Sequence, residues 1–178
     1  MVSVQAAGRL AEFLNWTGSV AGELSWAEVE EAMGFAFPED FKAVAATFPT
    51  GAFGGRIYFI SPIQSADSLG MFKDRLEITI SSFHEGREIL PDYFPHRFHP
   101  EYPGLIPWAV DDEHAYFWNA VSPAEPDGKI FFLENTGPDW GAYEGSIEDF
   151  LIDILSGSFT HPGLYSNLNE KPRMYDEY

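Results

Sequence analysis

Leu105-Ile106-Pro107-Trp108-Ala109-Val110-Asp111-Asp112-Glu113-His114-Ala115-Tyr116-Phe117-Trp118-Asn119 is the stretch on which the fold turns. Leu105 to Trp108 and His114 to Asn119 are rich in aromatic and branched residues, and they flank the acidic turn Asp111-Asp112-Glu113. That is the pattern of two strands around a turn. Downstream, Lys129-Ile130-Phe131-Phe132-Leu133 reads as another strand, introduced by the turn Pro123-Ala124-Glu125-Pro126-Asp127-Gly128. Asp139-Trp140-Gly141-Ala142-Tyr143-Glu144 reads as a short edge strand. A helix closes the series. Ser146 and Asp149 suit a cap, Ile147, Phe150, Leu151, Ile154 and Leu155 form one apolar stripe, and Gly157 ends it.

Upstream, helices dominate. Ala7, Leu10, Ala11 and Leu14 recur at helix spacing, which predicts a first helix from about Val4 to Trp16. Ser25 and Glu28 form a capping box for a second helix with Trp26, Val29 and Met33 inward and Gly34 at its end. Pro38 suits the first position of a third helix, because the amide it lacks would have no partner there. Glu39 and Asp40 then sit at the positive end of the helix dipole, Phe41, Val44, Ala45 and Phe48 face inward, and Pro49 stops the helix.

Gly51, Gly54 and Gly55 predict a tight turn, and Arg56 to Ile60 a strand. The glycines lack the spacing and the lysine of a phosphate loop. Leu69 to Leu90 carries two periods, and the longer one is helical, so a helix is expected over most of it. Pro91 to Pro107 holds five prolines and predicts irregular structure. Helices, then strands, then a closing helix argue for an α+β domain, a mostly antiparallel (mixed) sheet with helices packed against it. The 178 residues suit one domain, residues 1–158, followed by a loosely packed C-terminal tail, 159–178.

The charge balance narrows the function classes. The chain has 28 acidic and 10 basic residues, a net charge of −18, on a body 45% hydrophobic and 16% aromatic. A disordered acidic tail would lack the aromatics, and a nucleic-acid binder would carry the opposite sign. The expected object is a folded domain whose negative field repels nucleic acid and anionic lipid and attracts basic proteins. The same acidity also serves solubility. The chain has no cysteine, which excludes disulfides and thiolate chemistry and suits a reducing cytoplasm. No leader pattern opens it, and no apolar run approaches the ~20 residues of a membrane helix. A cytoplasmic protein is expected.

Candidate chemistry is sparse. His96 and His99 are three apart with Glu101 beyond, but Pro95 and Pro100 flank them, so structural histidines are the stronger reading against a metal pair. Asp111, Asp112 and Glu113 could hold a hard cation or work as an acid–base pair, and a solvated turn is the stronger reading. No serine sits in a nucleophile elbow. Trp108, Trp118 and Trp140 could form a sugar platform, and core anchors are the stronger reading. Tyr116, Phe117 and Trp118 alternate along one strand, so if one sheet face is wet an aromatic must be exposed there, a hot spot for a protein partner. No catalytic residue, metal ligand or cofactor is assigned.

Two segments taken together carry a family resemblance. One is Trp26-Ala27-Glu28-Val29-Glu30-Glu31-Ala32-Met33-Gly34 with Phe37-Pro38-Glu39-Asp40-Phe41-Lys42 and Thr50-Gly51-Ala52-Phe53. The other is Leu105 to Trp108, the acidic turn, Tyr116-Phe117-Trp118, and Tyr143-Glu144-Gly145-Ser146-Ile147-Glu148-Asp149-Phe150-Leu151. Their order and spacing resemble the SUKH superfamily, over roughly Ala11 to Gly157. The resemblance implies a non-catalytic α+β domain. In bacteria such domains are immunity proteins that bind and neutralise a polymorphic toxin, often a nuclease, and fungal members are regulatory interaction proteins. The expected partner is a basic toxin domain, bound through one acidic face made of Asp111, Asp112, Glu113, Asp139, Tyr143 and Glu144. The alternatives are a regulatory or scaffold domain with a non-toxin partner, and a metal-dependent hydrolase using His96, His99 and the Asp111–Glu113 turn.

Overall fold

The computed structural model describes residues 7–134, 139–162, 164 and 175–178. Among them the chain forms helix α1 (Gly8–Leu14), α2 (Trp26–Met33) and α3 (Glu39–Thr47), then strands β1 (Gly51–Phe53) and β2 (Ile57–Phe59). A long helix α4 (Ala66–Ile89) and a 3₁₀ turn (Pro91–Tyr93) lead into β3 (Gly104–Val110), β4 (His114–Ser122), β5 (Glu125–Glu134) and β6 (Trp140–Tyr143). Helix α5 (Ile147–Ser156) and strand β7 (Tyr175–Glu177) follow. One sheet has the order β6-β5-β4-β3-β2-β1-β7. Every neighbouring pair in it is antiparallel. The fold is α+β, as the element order argues.

Local chemistry explains most boundaries. Ser25 accepts from the Glu28 amide while Glu28 accepts from the Ser25 amide, a closed capping box, and Ser146 and Asp149 do the same for α5. Ser65 and Ser68 cap α4 reciprocally. Gly34 and Gly157 end their helices at φ 75° and 78°, where a side chain would be strained. Pro38 sits one position earlier than expected, as the N-cap of α3. The beginning of the expected first helix, at Val4, lies outside the described residues. From Gly8 the helix runs only to Leu14, ended by Asn15 in the left-handed region.

The sheet corrects three expectations. Gly51 belongs to a strand, and only Gly54 and Gly55 form the turn, with φ of 60° and 63°. A Cβ at Gly51 would collide with Tyr175 and Asp176, because β7 lies directly against β1 there. The far end of the segment expected to be a loosely packed tail is thus paired into the sheet. Tyr175 packs its ring on Trp16, Phe48 and Phe53, and its hydroxyl donates to the Pro49 carbonyl. Thirdly, the turn read over Pro123 to Gly128 is shorter, since β5 already begins at Glu125. Asp127, Gly128 and Lys129 bulge opposite Asn119 alone, between the pairs Trp118↔Ile130 and Ala120↔Pro126.

Both faces of the sheet are covered where β4 crosses it. Tyr116 packs on Phe150 of α5, and Trp118 packs on Phe37 and Phe41 at the start of α3. Phe117, pointing the other way, packs on Phe83 of α4, Phe98 and Trp140. All three rings are fully buried. The condition for an exposed aromatic in this run, a wet second face, is not met, because α4 and the segment around Phe98 close that face. Burying each such ring contributes about 2 kcal/mol. Trp108 and Trp118 are core residues, and half-buried Trp140 donates its indole N–H to the Tyr93 carbonyl at 2.8 Å.

Candidate protein interface

Asp111 is the first residue after β3, and its carboxylate organises the turn. Oδ1 accepts from the amides of Glu113 at 2.8 Å and His114 at 2.7 Å, the local pairing that short acidic side chains make in turns. Oδ1 also meets His114 Nδ1 at 2.9 Å, and Oδ2 accepts from the Tyr116 hydroxyl at 2.7 Å. Burial works to raise the Asp111 pKa, but the bonds from His114, Glu113 and Tyr116 outweigh it and hold the carboxyl below its usual range. An ionised carboxylate only accepts, so Nδ1 of His114 carries the proton. Burial and the neighbouring charge push the Tyr116 hydroxyl well above its ordinary value. Asp111 is a buried acceptor that holds the turn together.

The rest of the expected acidic face divides in two. Asp112 is exposed and Glu113 half-buried on the tip that Asp111 holds rigid. Asp139 is exposed and precedes Trp140, which pairs with Leu133, itself opposite Ala115. It therefore shares the tip's end of the sheet, two strands and about 10 Å away. Tyr143 lies three residues further along β6, about 10 Å from that end. Its ring packs on Phe150, and its hydroxyl donates to Asp153 at 2.5 Å. Burial, then the bond to Asp153, raises its pKa. Glu144 is exposed and pairs with Lys129 at 2.7 Å.

A concavity at the opposite end was not read from the sequence. The end of α2, the start of α3 and the β4–β5 hairpin enclose an open groove of about 460 Å³. Glu30, Glu39, Asp40 and Asp127 line it together with Phe37 and Pro126, and Lys42 is its one basic residue among the described residues. Lys42 bridges Glu30 at 2.9 Å and Glu39 at 3.0 Å. Burial works against the ammonium, but these two carboxylates outweigh it and raise its pKa. Asp40 accepts from the amides of Phe41 and Ile147, tying together the starts of α3 and α5. Burial prevails over those bonds and raises its pKa. Asp127 accepts from Asn119 Nδ2 at 2.6 Å and from the Lys129 amide.

The histidine pair divides as well. The His96 ring packs on Phe131 and Trp140, whereas His99 packs on Phe35 and bonds Tyr102 through Nδ1 at 2.9 Å. Burial lowers both pKa values, aided at His99 by the charge of His84. Among the described residues no group of three or more His, Cys, Asp or Glu side chains could hold a metal ion. No helix among them is long and apolar enough to cross a membrane. Fold and surface define the class as an α+β domain with an acidic groove at one end and a rigid acidic tip at the other. The chain matches no family model, no curated protein and no solved structure.

Proposed function

We propose that this is a non-catalytic protein-binding domain, an immunity protein that neutralises a basic toxin domain by direct binding. The observation that carries this reading is the acidic groove, a concavity of about 460 Å³ lined by four carboxylates and one lysine. Support also comes from the SUKH resemblance and the net charge of −18. A nuclease holds a polyanion, so its cleft is basic, and an acidic surface both steers onto such a cleft and occupies it. In this reading the groove receives a cationic side chain of the toxin. Phe37 and Pro126 supply the apolar wall that excludes water around the ion pairs. The tip carboxylates of Asp112, Glu113 and Asp139 contribute steering, since their spacing across the sheet end suits long-range attraction better than a single pocket.

The test is co-expression with the product of the adjacent gene, taken as the candidate toxin. Cells are expected to survive with the wild-type protein. The Glu39→Lys/Asp127→Lys variant is expected to lose protection and to weaken binding at least tenfold by calorimetry. Death at the same rate with and without the protein sinks the reading for that toxin. Association is expected to slow as salt rises, because the steering charges are exposed.

A further inference from the structure

Helix α4 carries a second, uncovered face. Its inner residues Phe72, Leu76, Ile80 and Phe83 are buried against the body of the domain. On the outside, Asp67, Met71, Asp74, Ile78, Ser81, Glu85 and Glu88 follow one another at alternating steps of four and three residues. That 4-3 spacing places all seven on one line along the helix, about 32 Å long. All seven are exposed. Met71 is 52% and Ile78 66% exposed, and Ile89, adjoining the end of the line, is 75% exposed. Leu90 and Tyr93 continue the apolar surface into the following turn. Of the seven large hydrophobic side chains exposed among the described residues, these five lie on α4 or just after it, so the exposure is concentrated rather than scattered.

The chemistry of the line selects its occupant. Four of its seven positions are carboxylates and none is basic. Glu85 and Glu88 are like charges one turn apart, which costs an isolated helix stability unless a cation relieves it. A second copy of the chain does not relieve it, because pairing this face with itself in either direction sets carboxylates against carboxylates. An uncharged apolar partner would strand the acids in a dry seam. A cationic amphipathic helix satisfies both features. Its apolar residues fill the spaces around Met71, Ile78 and Ile89, and its lysines or arginines meet Asp67, Asp74, Glu85 and Glu88. We propose that the outer face of α4 is a docking surface for a basic amphipathic helix of a partner protein, built by the 4-3 line of exposed carboxylates and apolar side chains. The proposal is independent of the toxin reading and of the groove.

The probe is a synthetic 21-residue helical peptide with leucine at its a and d positions and lysine flanking them. Its control is an isomer of the same composition with the leucines dispersed around the helix. At physiological salt the wild-type protein is expected to bind the amphipathic peptide at least tenfold more tightly than the isomer. Ile78→Ser/Ile89→Ser and, separately, Asp74→Lys/Glu85→Lys are expected to abolish that preference with unchanged Tm, since all four side chains are exposed. Glu39→Lys/Asp127→Lys, in the groove, is expected to retain it. Equal affinity for the two peptides overturns the proposal. So does a preference that survives both α4 variants, or one that disappears with the groove variant.

Discussion

Asp111 and Asp40 are both acidic, both largely withdrawn from water, and placed at opposite ends of the molecule, yet they titrate in opposite directions. At the β3–β4 turn, Asp111 collects two amides, an imidazole N–H and a phenol, and its carboxylate is held below the ordinary range. At the α3–α5 junction, Asp40 receives backbone amides alone and faces the charge of Asp149, so burial prevails and its pKa rises. The number of donors, rather than the depth of burial, decides which carboxylate is comfortable as an anion. In a chain with 28 acidic residues the distinction matters. Some carboxylates are spent inside the fold, and only the remainder is available to a partner.

Removing Asp111 should therefore produce the largest loss. Asp111→Ala leaves the buried His114 N–H, the Tyr116 hydroxyl and two turn amides without their acceptor, at a cost of about 3 kcal/mol. A fall in Tm of roughly 10 °C is expected for a domain of this size. Asp111→Asn keeps one acceptor oxygen and should fall between the two. Chemical denaturation measures both, and a wild-type midpoint for Asp111→Ala would break the assignment of Asp111 as structural.

The pH dependence separates the two regions by sign. Asp111 has a depressed pKa in the folded state, so its contribution is complete above the unfolded value, about 3.9, and disappears as pH falls through the folded value. Asp40 has a raised pKa, so keeping it charged opposes folding at neutral pH. That opposition is released as pH falls through its folded value towards the unfolded one. On acidification from pH 7, the stability of the wild type is expected to rise relative to Asp40→Asn as pH falls through the raised folded-state value. Relative to Asp111→Asn, the wild type should hold its advantage down to about pH 5 and lose it below about pH 4. Parallel curves for the two pairs would remove the distinction.

What was legible in the sequence follows from the range of each interaction. The capping boxes at Ser25 and Ser146 join residues three apart, so the residues announce them. The strands from Leu105 to Tyr143 and the apolar stripe of α5 are local patterns and appear in the structure, although β5 starts earlier than its pattern suggests, at Glu125. The hydrogen bond from Ile147 to Asp40 spans 107 positions, and nothing local marks it. Strand β7 is three polar residues whose pairing depends on the approach allowed by Gly51, which no periodicity reveals. The groove escaped for the same reason. Nothing in the local pattern singles out Glu30, Glu39 reads as a first-turn helix residue and Asp127 as part of a turn, and only the tertiary fold brings α2, α3 and the hairpin together. The structural part that Asp111 plays is, by contrast, marked locally. An acidic residue followed by the two amides it caps is a local turn signal, and Tyr116 lies on the strand it opens.

The smallest expected effect sharpens the comparison most. Helix α5 begins under two restraints, a local one from Ser146 and a distant one from Asp40, which accepts from the Ile147 amide at 2.7 Å. Helix α2 has the same kind of capping box at Ser25, where the Glu28 side chain returns the bond. Loss of an N-cap hydroxyl ordinarily costs about 1 kcal/mol. Ser25→Ala should show that full cost, whereas Ser146→Ala should show less, because Asp40 still anchors the start of α5. In an Asp40→Ala background the missing part should reappear, giving a coupling of about 0.5 kcal/mol between the two positions. Strict additivity would mean that Asp40 merely lies near α5. A measurable coupling would make this carboxylate a long-range cap that the fold retains despite the charge it keeps buried at neutral pH.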